Sequence, residues 1–142
     1  QDAFRPRALF ESFNIETLAT TDSALDDLCH HAAISASGWT GRVLPTFRPD
    51  GVLDPSDPNF QTNLQELEKI TGIALDSYAG YLEALRVRQA FFIQMGATAT
   101  DHAIETIHTE WLYNPHAIYQ RLKQGRGIPD DVRRLYGHPC PP

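Results

Sequence analysis

Apolar and polar positions follow two rhythms along this chain, and the switches between them mark its elements. NIETLAT (14–20) is β-branched and apolar and stops at Thr21 and Asp22, which predicts a first strand. A helix is expected from about Ser23 to Ser35, with Asp22 or Ser23 as its cap and Gly38 at its stop. Asp26 and Asp27 suit the positive end of its dipole, and Leu25, Leu28, Cys29 and Ala32 share one face at spacings of three and four. GRVLPTF (41–47) predicts the second strand. Beyond the turn-rich DGVLDPSDP, a helix is expected from about Pro58 to Ile70, capped by Asp57 and burying Phe60, Leu64 and Leu67. A longer one runs from about Asp76 to Met95, with Tyr78, Leu82, Leu85 and Phe92 inward and Gly96 as its stop. ATAT (97–100) reads as a short third strand. Asn114 and Pro115 open a further helix that Gly125 ends, and Pro129 to Tyr136 suits another.

Strand, helix, strand, helix pair, strand, helix is the order of an α/β chain built from about three parallel βα units with right-handed crossovers. The expected organisation is one segment: a lead-in over 1–13, the βα units over 14–109 and a helical tail over 110–142. The strand ends carry the chemistry. The first ends in Thr20, Thr21 and Asp22, the second in Arg48, Pro49 and Asp50, the third in Thr100, Asp101 and His102. Loops at the carboxyl ends of parallel strands line the ligand site of βα folds, so these groups should converge on one polar mouth. Pro49 fixes its own φ and restricts Arg48, which stiffens the exit. Each residue also has a plainer reading. Asp22 can cap its helix, Arg48 can be an ion-pair partner of Asp50 or Asp22, and His102 can be a satisfied core histidine. His30 and His31 are expected to face solvent or pack, since adjacent helical residues point apart and make a poor metal pair.

Composition narrows the function classes. The chain has 142 residues with 42% hydrophobic and 21% charged, enough for one domain with a real core. Its net charge of −6 argues against nucleic acid or an anionic membrane as main partner. No apolar run approaches the length of a membrane span, and QDAFRPRALF lacks a signal peptide's apolar core. Cys29 and Cys140 form no CxxC motif, so a reduced cytoplasmic protein is the simplest expectation.

Three stretches together resemble a known family. PRALFESFNIETLATTDSALDDLCHHAAI, GWTGRVLPTFRPDGVLDP and GATATDH are similar, in that order and at sensible spacing, to the middle of the uronate (glucuronate) isomerases of the amidohydrolase superfamily. The resemblance covers about residues 5 to 105 and includes a TTD-x3-D-x-L-x2-H pattern. It implies part of a distorted (β/α)8 TIM barrel with helical insertions. It also implies interconversion of D-glucuronate with D-fructuronate, and of D-galacturonate with D-tagaturonate, through a cis-enediol. A divalent metal, usually zinc, is implied for the family, bound by an H-x-H pair on the first strand and an aspartate on the last. This chain has no H-x-H and about three strands of the eight, so no metal ligand is expected within this segment and no activity from it alone.

Carried over residue by residue, Arg48 of the RPD motif would bind the C6 carboxylate of a hexuronate, the class of small-molecule partner implied. Asp101 and His102 would be catalytic residues of undetermined role, and Thr21, Asp22 and Asp50 would join Arg48 in binding substrate. Two other readings stay open: a non-catalytic βα remnant, and a metal-dependent hydrolase of the same superfamily. Three parallel strands alone leave two open edges, so self-association or a homo-oligomer is expected.

Overall fold

The computed structural model describes residues 4–103 and 114–126, and all structural statements below concern these. The chain opens with helix α1 (Pro6–Ser12), an element within the expected lead-in that begins at a proline, the residue best tolerated in a first helical turn. The first strand is shorter than the pattern suggests. It comprises β1 (Thr17–Ala19) and β2 (Asp22–Ser23), while the second comprises β3 (Arg42–Leu44) and β4 (Phe47–Arg48).

β1 pairs in parallel with β3, Leu18 opposite Val43, and β2 pairs in parallel with β4, Asp22 opposite Phe47. Both strands are interrupted at the same level. Pro45 has no N–H to give, and the Thr46 N–H is taken by the Asp22 carboxylate at 3.2 Å. Thr20 N–H to Leu44 C=O and Asp22 N–H to Thr46 C=O, both 3.0 Å, carry the pairing across the gap. The expected third strand is extended chain joined by one parallel bridge, Phe47 to Thr100. The chain is therefore mixed helix and strand with parallel pairing, as expected of an α/β segment.

Helix α2 (Cys29–Ala36) starts six residues later than the pattern indicates, and none of its residues is buried. Cys29 and Ala32, expected inward, are exposed. The delay has a local cause. Asp26 Oδ1 accepts from Leu28 N–H at 2.6 Å and Asp27 Oδ1 from Cys29 N–H at 2.9 Å, so the two carboxylates form turns before the helix instead of sitting in its first turn.

The turn-rich stretch contains a short helix, α3 (Asp50–Leu53), that buries Val52. α4 (Phe60–Thr71) buries Phe60, Leu64 and Leu67 as expected and stops at Gly72, whose φ of 68° suits glycine. Its start is displaced by a turn in which Asp57 accepts from Asn59 N–H at 2.7 Å. α5 (Tyr78–Gln94) is capped by Ser77, which accepts from Gly80 N–H at 3.0 Å. Its deepest residues are Tyr81, Ala84, Arg88 and Phe92. Tyr78, Leu82 and Leu85 are only partly buried against this core, because the buried stripe includes an arginine that an apolar pattern skips. α6 (Pro115–Lys123) follows its Asn114 cap as expected, and Tyr119 seals it onto α5 by stacking on Tyr81 at 5.0 Å. The helix expected from Pro129 to Tyr136 lies outside the described residues. The core runs from Phe47 through Phe92, Leu67 and Leu75 to Tyr119, beneath the strand ends.

Candidate functional site

Parallel pairing sets the three strand ends side by side. Ala24 N–H donates to Arg48 C=O at 3.1 Å and Asp101 N–H to Phe47 C=O at 3.0 Å, so residues 22–24, 46–48 and 99–101 form one short row with β4 in the middle. Phe47 anchors it, buried edge-on against Phe92 at 5.0 Å. Arg48, the next residue, therefore leaves the row at a fixed point.

Four of the six sequence-derived candidates meet here. Arg48 Nη2 is hydrogen-bonded to Asp101 Oδ2, and Arg48 Nε lies 3.8 Å from Asp50 Oδ2. Asp50 uses both oxygens on the neighbouring strand end: Oδ2 accepts from Ala103 N–H at 2.8 Å, and Oδ1 lies 3.1 Å from His102 Nδ1. An ionised carboxylate only accepts, so Nδ1 is the protonated nitrogen and a neutral His102 ring keeps its lone pair at Nε2. The side chains of Arg48, Asp50, Asp101 and His102 are 35%, 26%, 36% and 38% exposed, open enough to meet a ligand. Arg48 Nε is itself buried without a hydrogen-bond partner. His102 is thus no core histidine, and Arg48 is an ion-pair partner of Asp50, as its plainer reading expected, and of Asp101, but not of Asp22.

Asp22 belongs to a second group. Its Oδ2 accepts from Thr20 Oγ1 at 2.7 Å as well as from Thr46 N–H, and Thr20 Oγ1 lies 2.9 Å from His31 Nε2. Asp22 caps no helix, since α2 begins at Cys29. Thr21, expected beside it in the site, is exposed while Thr20 makes the contacts. Alternation along a strand was the available signal, because positions 20 and 22 share a face and 21 does not. His31, expected to be bland, is only 10% exposed and faces Asp22 across α2 and the strand. It closes the TTD-x3-D-x-L-x2-H pattern, whose fixed spacing from Asp22 was the signal for it.

A third polar residue holds the loop after the first strand. Arg88 of α5 donates through Nε to Ala24 C=O at 2.7 Å and through Nη2 to Asp26 C=O at 2.6 Å, with its guanidinium 4.4 Å from the Phe91 ring. Burial pushes its pKa down, opposed by the charges of Asp26 and Asp27. Among the described residues no three His, Cys, Asp or Glu side chains could hold a metal ion, so they do not form a site for the cation that the resemblance implies. No described helix is long and apolar enough to cross a membrane.

A fixed guanidinium with a buried unpaired donor, beside a carboxylate-oriented imidazole, can bind an anionic oxygen group and relay a proton. Comparison with known proteins supplies a setting for that chemistry. A family model described as glucuronate isomerase matches residues 1–133. A uronate isomerase of Rhizorhabdus wittichii is 51% identical over 137 residues, covering 95% of this chain and 29% of the relative. One from Rhizobium meliloti is 49% identical over 135 residues, covering 94% and 29%. The crystal structure of glucuronate isomerase from Caulobacter crescentus superposes with a TM-score of 0.85 at 42% identity, over 96% of this chain and 29% of that one. The uronate isomerase structure from Thermotoga maritima, 23% identical with a TM-score of 0.84 over 92% and 30%, shares the fold. The chain spans less than a third of the length of these relatives.

Proposed function

The chain belongs to the glucuronate isomerase family, and from that premise we propose that it forms part of the hexuronate pocket of an aldose–ketose isomerase. The observation that carries the reading is Arg48 Nε, a buried donor on a charged group with no hydrogen-bond partner. Such a donor is costly unless an acceptor arrives, and the C6 carboxylate of a uronate is an acceptor of the right charge and planarity. Nη2 meets Asp101 and Nε stands 3.8 Å from Asp50 without a hydrogen bond, so the Nε–Nη2 edge keeps a planar pair of donors of the kind a carboxylate takes. The substrates would be D-glucuronate and D-fructuronate, or D-galacturonate and D-tagaturonate.

The aldose–ketose shift takes a proton from C2 to C1 and another from O2 to O1, through a cis-enediol. His102 and Asp101 are the groups assigned to hold or move those protons, with Asp50 fixing the His102 ring so that Nε2 is the basic nitrogen. Asp50 thereby binds substrate only through His102 and Arg48, and exposed Thr21 is available to a sugar hydroxyl. The divalent cation that the resemblance implies, usually zinc, has no ligand set among the described residues. The parallel strands would be about three of the eight of a (β/α)8 barrel, in a protein working in the cytoplasm. The isolated chain would self-associate through its open strand edges, and a monodisperse monomer in sedimentation at micromolar concentration would overturn that.

The decisive experiment is Arg48→Lys in the intact protein, which keeps the charge and loses the planar pair of donors. kcat/KM for D-glucuronate should fall roughly 30- to 1,000-fold, with metal content unchanged and the melting midpoint nearly so. Near-normal kcat/KM in a protein that melts several degrees lower would assign Arg48 to architecture instead.

A further inference from the structure

Thr20, Asp22 and His31 are the most enclosed polar cluster at the strand ends, and the proton and carboxylate steps leave them without a task. Asp22 and His31 are only 13% and 10% exposed, against roughly a third for the residues around Arg48. A hydroxyl has one proton. Thr20 Oγ1 has two neighbours that only accept, the ionised Asp22 at 2.7 Å and Leu44 C=O at 3.2 Å, and the shorter, charged contact takes the proton. Thr20 therefore cannot also donate to His31, so the 2.9 Å contact must be His31 Nε2–H donating to Thr20 Oγ1. The proton order runs one way, from the ring through the hydroxyl to the carboxylate.

Asp22 Oδ2 hands this order to the next strand by accepting the Thr46 N–H, in the gap that Pro45 leaves in the ladder. Thr46 is two residues from Arg48. Asp22 N–H to Thr46 C=O and Ala24 N–H to Arg48 C=O complete the attachment on both sides of Phe47. We propose that His31, Thr20 and Asp22 form a largely enclosed clasp that positions Arg48: His31 on α2 orients Thr20, Thr20 orients Asp22, and Asp22 holds the strand segment from which the guanidinium projects. They are positioning residues for the anion-binding group, not ligands of the substrate, and the assignment rests on Arg48 being that group.

The test uses the intact protein with D-glucuronate as probe. Nitrogen NMR of His31 should show the Nε2-protonated tautomer. Thr20→Val, isosteric without the hydroxyl, should weaken D-glucuronate binding about 10- to 100-fold by loosening Arg48, while Thr20→Ser stays within about threefold. His31→Gln, which returns an N–H near the place of Nε2, should bind as the parent does, and His31→Leu should follow Thr20→Val. An Nδ1-protonated His31, or parental binding by Thr20→Val in a protein that only melts lower, overturns the clasp. If Thr20→Val does not fold, the tautomer and the two His31 variants decide. Arg48→Lys in the same titration separates the two readings: if it is silent the anion site falls, and if it weakens binding while Thr20→Val does not, the clasp alone falls.

Discussion

Two arginines about one helix apart differ in what their donors do. Arg88 is 9% exposed, and its guanidinium is committed to two backbone carbonyls, Ala24 and Asp26, with Phe91 beneath it. Arg48, its side chain 35% exposed, gives Nη2 to a carboxylate and leaves Nε buried without a hydrogen-bond partner, 3.8 Å from Asp50. A guanidinium answered by carbonyls is complete without a ligand, whereas one whose buried donor makes no hydrogen bond among carboxylates still has an acceptor to take. The same side chain is thus architecture on α5 and, on the function proposed above, recognition at the end of β4.

The sharpest way to break this contrast is Arg88→Met, which keeps the stem on the Phe91 and Phe92 rings but leaves two carbonyls without their donor. Unfolding free energy should fall by about 2–4 kcal/mol, read from the urea midpoint, while the folded fraction binds D-glucuronate as before. Arg48→Lys should give the reverse pattern, with binding lost and stability kept. Weakened binding in a folded Arg88→Met protein would mean that the loop at Ala24 tunes the pocket and the division is wrong.

A smaller effect sharpens the architectural side. Tyr119 donates to Leu75 C=O at 2.7 Å, and burial, with help from the charges of Glu68 and Asp76, pushes its pKa up to about 12. The ordinary value is 10.0, so the folded state holds this proton more tightly than the unfolded state does. Its stabilisation is complete below pH 10 and is lost as the pH rises toward 12. Tyr119→Phe should cost about 1 kcal/mol at neutral pH and flatten part of that alkaline loss in chemical denaturation. Unchanged alkaline sensitivity would place its origin elsewhere in the chain.

Much of the candidate site was legible because strand ends in parallel βα units have a known geometry. Arg48, Asp50, Asp101 and His102 could be grouped from two quoted motifs, and the structure brings those four together. Asp22 and Thr21 were grouped with them by the same rule, which locates a strand end without saying which way each side chain leaves it. His31 was passed over because adjacent helical histidines were weighed only as a metal pair, although the spacing of His31 from Asp22 in the quoted pattern linked the two.

Local chemistry, then, was determined by the sequence itself: the amphipathic stripe of α4, the Asn114 start of α6 and the parallel pairing of the first two strand segments. The two helical features depend on residues within about one turn of each other, where propensity and periodicity act, and the pairing on the alternation of strands and helices. Tertiary structure decided which polar groups are answered by protein and which keep a donor without a hydrogen bond. Asp22 meets Thr46 across 24 positions, Arg48 meets Asp101 across 53, and Arg88 meets Ala24 across 64. Hydrogen bonding has no periodicity over such separations, so only the packed chain can assign one arginine to its own backbone and leave the other with a donor to offer.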